Sequence, residues 1–155
     1  MVAVLYDWLK AIHILAAIVW VGGAVTNQII AIRITRSGDR QLTYQFAKQV
    51  EFVGMRLYTA ASLVLLVLGI WMVSIGPWNY GMLWIDLALA MFAFSFVSGA
   101  FFIGPQLKKM TEAFDRDGME SAAGAEILRK VFLVSRIELV LLILIVFDMV
   151  LKPGA

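Results

Sequence analysis

The chain has 155 residues, of which 62% are hydrophobic and 15% charged, with a net charge of +2 and no cysteine. Soluble domains average roughly 45–50% apolar and about 25% charged residues, so the excess apolar surface is expected to face lipid. The charge balance speaks against nucleic acid as a partner, and the missing cysteine excludes disulfides, thiolate metal sites and a cysteine nucleophile.

In chain order, four apolar stretches cover about 11–32, 57–76, 80–104 and 131–151. A bilayer core takes a helix of roughly 20 apolar residues, because hydrocarbon leaves no other partner for backbone amides. The expected architecture is all-α: a single integral membrane domain, residues 1–155, built as a four-helix transmembrane bundle. A basic n-region is missing ahead of the first stretch, whose charges begin at Asp7 and Lys10. That stretch is therefore expected to be a retained span.

The connection after the first span carries the turn signal Ser37-Gly38-Asp39 and then 41–56, where Leu42, Phe46, Val50 and Val53 recur at helical spacing. That segment predicts a downward extension of the second helix. The connection after the third span has its break at Asp115-Arg116-Asp117-Gly118, and 119–130 leads into the fourth span. Pro105 is expected to end or kink the third helix. Of 13 Lys and Arg residues, five lie in each of these two long connections. The turn Gly76-Pro77-Trp78-Asn79-Tyr80-Gly81 has none, and the two termini contribute Lys10 and Lys152 alone. The excess of positive charge places both long connections in the cytoplasm and both termini outside, in a multi-pass protein of the cell inner membrane. Tyr6, Trp8, Trp78, Tyr80 and Trp84 then form an outer aromatic belt.

Membrane helices pack through small and polar residues. One face of the first span holds His13, Ala16, Ala17, Trp20, Gly23, Ala24 and Asn27, and is expected to face inward. In the second span the inward stripe is Tyr58, Ser62, Leu65, Gly69, Met72 and Gly76. In the third it is Asp86, Ala90, Ala93, Val97 and Ala100, and in the fourth Glu138, Leu141, Ile145 and Asp148.

Ionisable groups inside a span cost about 2.5–3.5 kcal/mol, so they mark function or a specific partner. Counting at 1.5 Å per residue places His13, Asp86 and Asp148 in one layer of the outer half, with Met72 at a similar level. The lone His13 suits a heme or metal ligand, a proton carrier, or a neutral imidazole tying helices together. Asp148 can pair with Lys152. Glu138, nearer the inner end, needs a partner, with Asn27, Gln28 and Arg56 at suitable levels. No phosphate loop, H-E-x-x-H or Ser-His-Asp order is present, so enzymatic activity is left undecided.

The opening Trp8-Leu-Lys-Ala-Ile-His13, followed by Trp20-Val-Gly-Gly23, and the ending Met149-Val-Leu-Lys-Pro153-Gly resemble a bacterial family of small four-span membrane proteins catalogued as a domain of unknown function. More distantly, the His13 segment is similar to the first helix of HemJ-type protoporphyrinogen oxidases and copper-resistance D proteins. That resemblance implies that His13 is a heme ligand. The residues themselves suit heme b there, since Ala16 and Ala17 leave room for a flat ring and Trp20 lies on the same face. Met72, or His13 of a second copy, would be the other ligand. The later-helix lysine of HemJ-type proteins is matched by neither Lys108 nor Lys109. The expectation from a different class is a cofactor-free transport or accessory subunit. There His13, Asp86 and Asp148 handle protons or ions, or clamp helices within a homo-oligomer or against a partner membrane subunit.

Overall fold

The computed structural model describes residues 2–155. They form four long helices and no strand: α1 Val2–Ser37, α2 Arg40–Ile75, α3 Leu83–Asp117 and α4 Ala122–Leu151. α1, α2 and α3 are each long and apolar enough to cross a membrane. At 30 residues, α4 has the length but carries Arg136, Glu138 and Asp148 within its apolar stretch. Large apolar side chains such as Ile18, Val67, Phe94, Phe101 and Phe147 are exposed around the bundle. Such a girdle is stable only against lipid.

The helix breaks fall at the glycine turns. Gly38 and Gly118 adopt left-handed φ of 73° and 82°, conformations that cost an L side chain but not glycine. Each is followed by a capped helix start. Asp39 accepts from Leu42 N–H at 2.9 Å and Ser121 from Gly124 N–H at 3.2 Å, satisfying donors that a helix start leaves free.

α2 and α3 each contain one π turn near their basic end, at Gly54–Tyr58 and Ser98–Ile103. Thr59 N–H bonds the Gly54 carbonyl and Gly104 N–H the Gly99 carbonyl, five residues back in each case. The second wide turn directly precedes Pro105, which disturbs the helix without ending it. The shifted ladder absorbs the missing donor, and α3 runs on to Asp117.

Beyond the apolar girdle the helix extensions pack on one another. Tyr44, Ala47, Leu107, Met110, Phe114 and Val131 form a buried core, with Tyr44 and Phe114 edge to face. Lys48 lies 4.4 Å over the Tyr44 ring, and the Tyr44 hydroxyl donates to Asp115. Arg40 reaches across to Glu120 at 2.9 Å and to the Met119 carbonyl at 3.0 Å. In the apolar segments α1 packs against α2 and α4, and α3 against α4. α2 and α3 meet closely only along their extensions.

The inward face of α3 differs from expectation. Asp86, Ala90, Ala93 and Val97 are exposed, whereas Trp84, Ile85, Ala88 and Ser95 are buried, and Ala100, though accessible, borders the interior. The Phe92 ring meets Trp20 edge to face at 5.4 Å and stacks near Phe96. The buried face of α3 thus combines small residues, Ala88 and Ser95, with an aromatic contact to α1.

Candidate functional site

The polar residues of the membrane segments divide between two levels. At the end bearing both termini, the structure separates the expected layer. His13 on α1 is half-buried and faces α2. A Cβ built on Gly69 would lie 3.5 Å from its Cε1, and the Leu65 backbone lies within its reach. Its Nδ1 is buried without a hydrogen-bond partner. Asp148 on α4 is buried, with Oδ2 unpartnered. Asp86 does not join them. It is exposed on the first turn of α3 and accepts from Gly81 N–H at 3.4 Å, the position of an acid at a helix start. Within this chain, His13 and Asp148 of the expected layer are turned inward and Asp86 is not.

Lys152 does not pair with Asp148 through its ammonium. Its Nζ sits 4.2 Å over Trp78 and 5.5 Å from the Trp84 ring centre. Trp78 Nε1 donates to the Tyr6 hydroxyl at 2.9 Å, and Trp84 is buried. Of the expected aromatic belt, Trp8 and Tyr80 face outward, while Tyr6, Trp78 and Trp84 pack as a cap on the bundle.

The seat expected for a flat heme ring was tested on this geometry. Ala16 and Trp20 are buried in one cluster with Ala61, Leu65 and Leu142, with Ala17 packed against it. Met72 stands one turn past Gly69, the residue already against the imidazole. Ligation of one iron by His13 and Met72 requires α1 and α2 to part along this seam. Among the described residues no group of three or more His, Cys, Asp or Glu side chains could hold a metal ion.

At the basic end the interior is open. A cavity of about 430 Å³ lies between all four helices, within the range of roughly 300–1,000 Å³ typical of ligand sites. Along α1 it reaches from Trp20 to Thr35, about 22 Å at 1.5 Å per residue. Glu138 of α4 lines it, with Oε1 3.5 Å from where a Cβ on Gly99 would stand. Gly99 belongs to the π turn of α3. Both π turns line the cavity, through Gly54 and Tyr58 on one side and Gly99, Ala100 and Ile103 on the other. Such turns concentrate at functional sites because they disturb the helix ladder locally.

The hydrogen-bonding groups around the cavity are only partly matched. Asn27 Nδ2 donates to the Tyr58 hydroxyl at 3.0 Å, and Ser135 to Gln28 Oε1 at 3.2 Å. Gln28 Nε2 and Ser95 Oγ are buried without partners, and Ser95 is 0% exposed. Buried polar groups left unpaired are uncommon and cost about 1–3 kcal/mol each. Four of these residues carry a visible signal. Tyr58 stands on the inward stripe of the second span, and Glu138 needs a partner, with Asn27 and Gln28 among the groups at its level. Ser95, Gly99 and Ser135 had none, since each alone reads as a small packing residue.

Helical architecture, apolar girdle and inward polar groups together define an all-α integral membrane protein. The chain belongs to the family described as predicted integral membrane protein (DUF2269), whose model matches residues 7–153. No curated protein and no solved structure matches it.

Proposed function

We propose that this chain is a cofactor-independent carrier or accessory subunit of the cell inner membrane, and that it handles a solute or ion in the cavity at its basic end. In this reading α4 crosses the membrane with the other three helices, both termini lie outside, and the cavity faces the cytoplasm. The observation that carries it is Glu138. A carboxyl group within a spanning segment is costly to insert, and this one lines an open cavity rather than meeting a cation. Its neighbours Gln28 and Ser95 hold hydrogen-bonding capacity that no protein group uses. The roles expected for His13 and Asp148 reduce to helix pairing and closure of the opposite end.

The absence of cysteine makes the test simple. Single substitutions Ser135→Cys on the cavity wall and Ala93→Cys on the outer face of α3 are probed with a membrane-impermeant maleimide. Ser135→Cys is expected to react in inside-out vesicles and not in intact cells, while Ala93→Cys reacts in neither. Silence of Ser135→Cys from both sides would mean a sealed interior and would sink the reading. Labelling in intact cells alone would invert the orientation. Purified protein is also expected to be colourless. A Soret band lost in His13→Ala would restore heme in place of this proposal.

A further inference from the structure

The character of the cavity wall narrows what can occupy it. Its lining includes two acidic side chains, Glu51 towards the basic end and Glu138 deeper, and no Lys, Arg or His. That is unexpected at the end of the molecule where the two basic connections converge. The structure shows where the nearby cations go. Arg56, two residues before the cavity residue Tyr58, turns out over the Phe52 ring at 4.4 Å. Arg136, two residues before Glu138, is exposed. Arg40 is held by Glu120 and Lys48 by Asp115 and Tyr44. Among the described residues, no basic group therefore neutralises Glu138 from within the cavity.

The remaining wall is apolar and aromatic, with Trp20, Phe46, Tyr58, Phe96 and Phe132 among its residues. Aromatic faces attract cations, the more strongly where water is excluded. Resting on the reading of this cavity as a solute site, we propose that its occupant is an organic cation, such as a protonated amine with an apolar body. The charge is countered by Glu138. The N–H groups of an amine match the free Ser95 hydroxyl oxygen, and the body lies against the rings.

The test uses the full chain in detergent, with tetraphenylphosphonium as the cationic probe and triphenylphosphine oxide as a neutral one of similar body, both followed by calorimetry. The cation is expected to bind at least tenfold more tightly than the neutral probe. Glu138→Gln should weaken the cation at least tenfold and leave the neutral probe unchanged. Glu51→Gln, at the mouth, should weaken the cation by a smaller factor, and it keeps the test alive should Glu138→Gln fail to fold. Equal binding of both probes with no effect of either substitution would overturn the proposal while leaving a solute cavity in place. Binding of neither probe also overturns it. Maleimide labelling of Ser135→Cys then tells whether the cavity reading falls with it.

Discussion

The two ends of this bundle solve the same problem differently. At the terminal end, glycine and aromatic residues close the interior. His13 fills the notch over Gly69, and Trp78, Trp84 and Tyr6 pack beneath the Lys152 ammonium. At the basic end, four helices of similar composition surround a cavity, and two of them widen into π turns where they border it. Beside that cavity the extensions pack on one another over Phe114 and Met110, so the opening does not come from a shortage of packing residues at this end.

Large-to-small substitutions give the sharpest version of this contrast. Phe114 is 4% exposed in the extension core, so Phe114→Ala is expected to cost about 3–5 kcal/mol. Phe132 lines the cavity and already borders open space. Its loss is expected to cost less than about 1.5 kcal/mol, because little new void is created where one exists. Chemical unfolding in detergent compares the two. Similar costs for both would mean that the cavity wall is packed as tightly as the core, and the comparison would break.

How much of this was legible in the sequence follows the strength of each physical signal. Helix count, glycine breaks and extensions were readable because hydropathy, Gly38, Gly118 and the Leu42–Val53 periodicity are local signals. The inward face of α1 was readable because small residues oppose a face of Ile and Val. α3 offered no such asymmetry. It is apolar on all sides, so Asp86 misled the assignment of its face, and the contacts that orient it, Trp20 with Phe92, come from another helix. The cavity was hidden for a related reason. Gln28, Ser95, Gly99 and Glu138 lie on three helices and only their assembly makes a site. The π turns that border it carry no sequence signature beyond a glycine in each.

Overpacking probes the closed end at a middle magnitude. Gly69 has room for a methyl group at ordinary contact distance, 3.5 Å from His13 Cε1. Gly69→Ala should therefore be nearly neutral, whereas Gly69→Leu should cost about 1–3 kcal/mol by forcing α1 and α2 apart. Gly99 also has 3.5 Å to its neighbour, Glu138 Oε1, but that neighbour stands at an open space. Gly99→Leu is expected to fold with a smaller loss than Gly69→Leu and to compete with any cavity occupant instead. Equal destabilisation by the two leucines would show that the Glu138 side is no more open than the His13 side.

The smallest effect concerns the clasp at the closed end, and it separates two opposing contributions at one residue. Lys152 ends α4 in a left-handed conformation with φ of 46°, and its N–H bonds the Asp148 carbonyl at 2.8 Å. That backbone costs a non-glycine residue about 1–2 kcal/mol. The ammonium over Trp78 and Trp84 returns about 0.5–1 kcal/mol, as for a partly exposed cation on an aromatic face. Lys152→Met keeps the backbone cost and much of the stem but removes the charge, so it should destabilise by that latter amount and shift tryptophan emission. Lys152→Gly removes both contributions and should leave stability unchanged or slightly raised. A methionine variant as stable as the parent, with unaltered emission, would show that the ammonium adds nothing. The closed end would then be held by Trp78, Trp84 and Tyr6 alone.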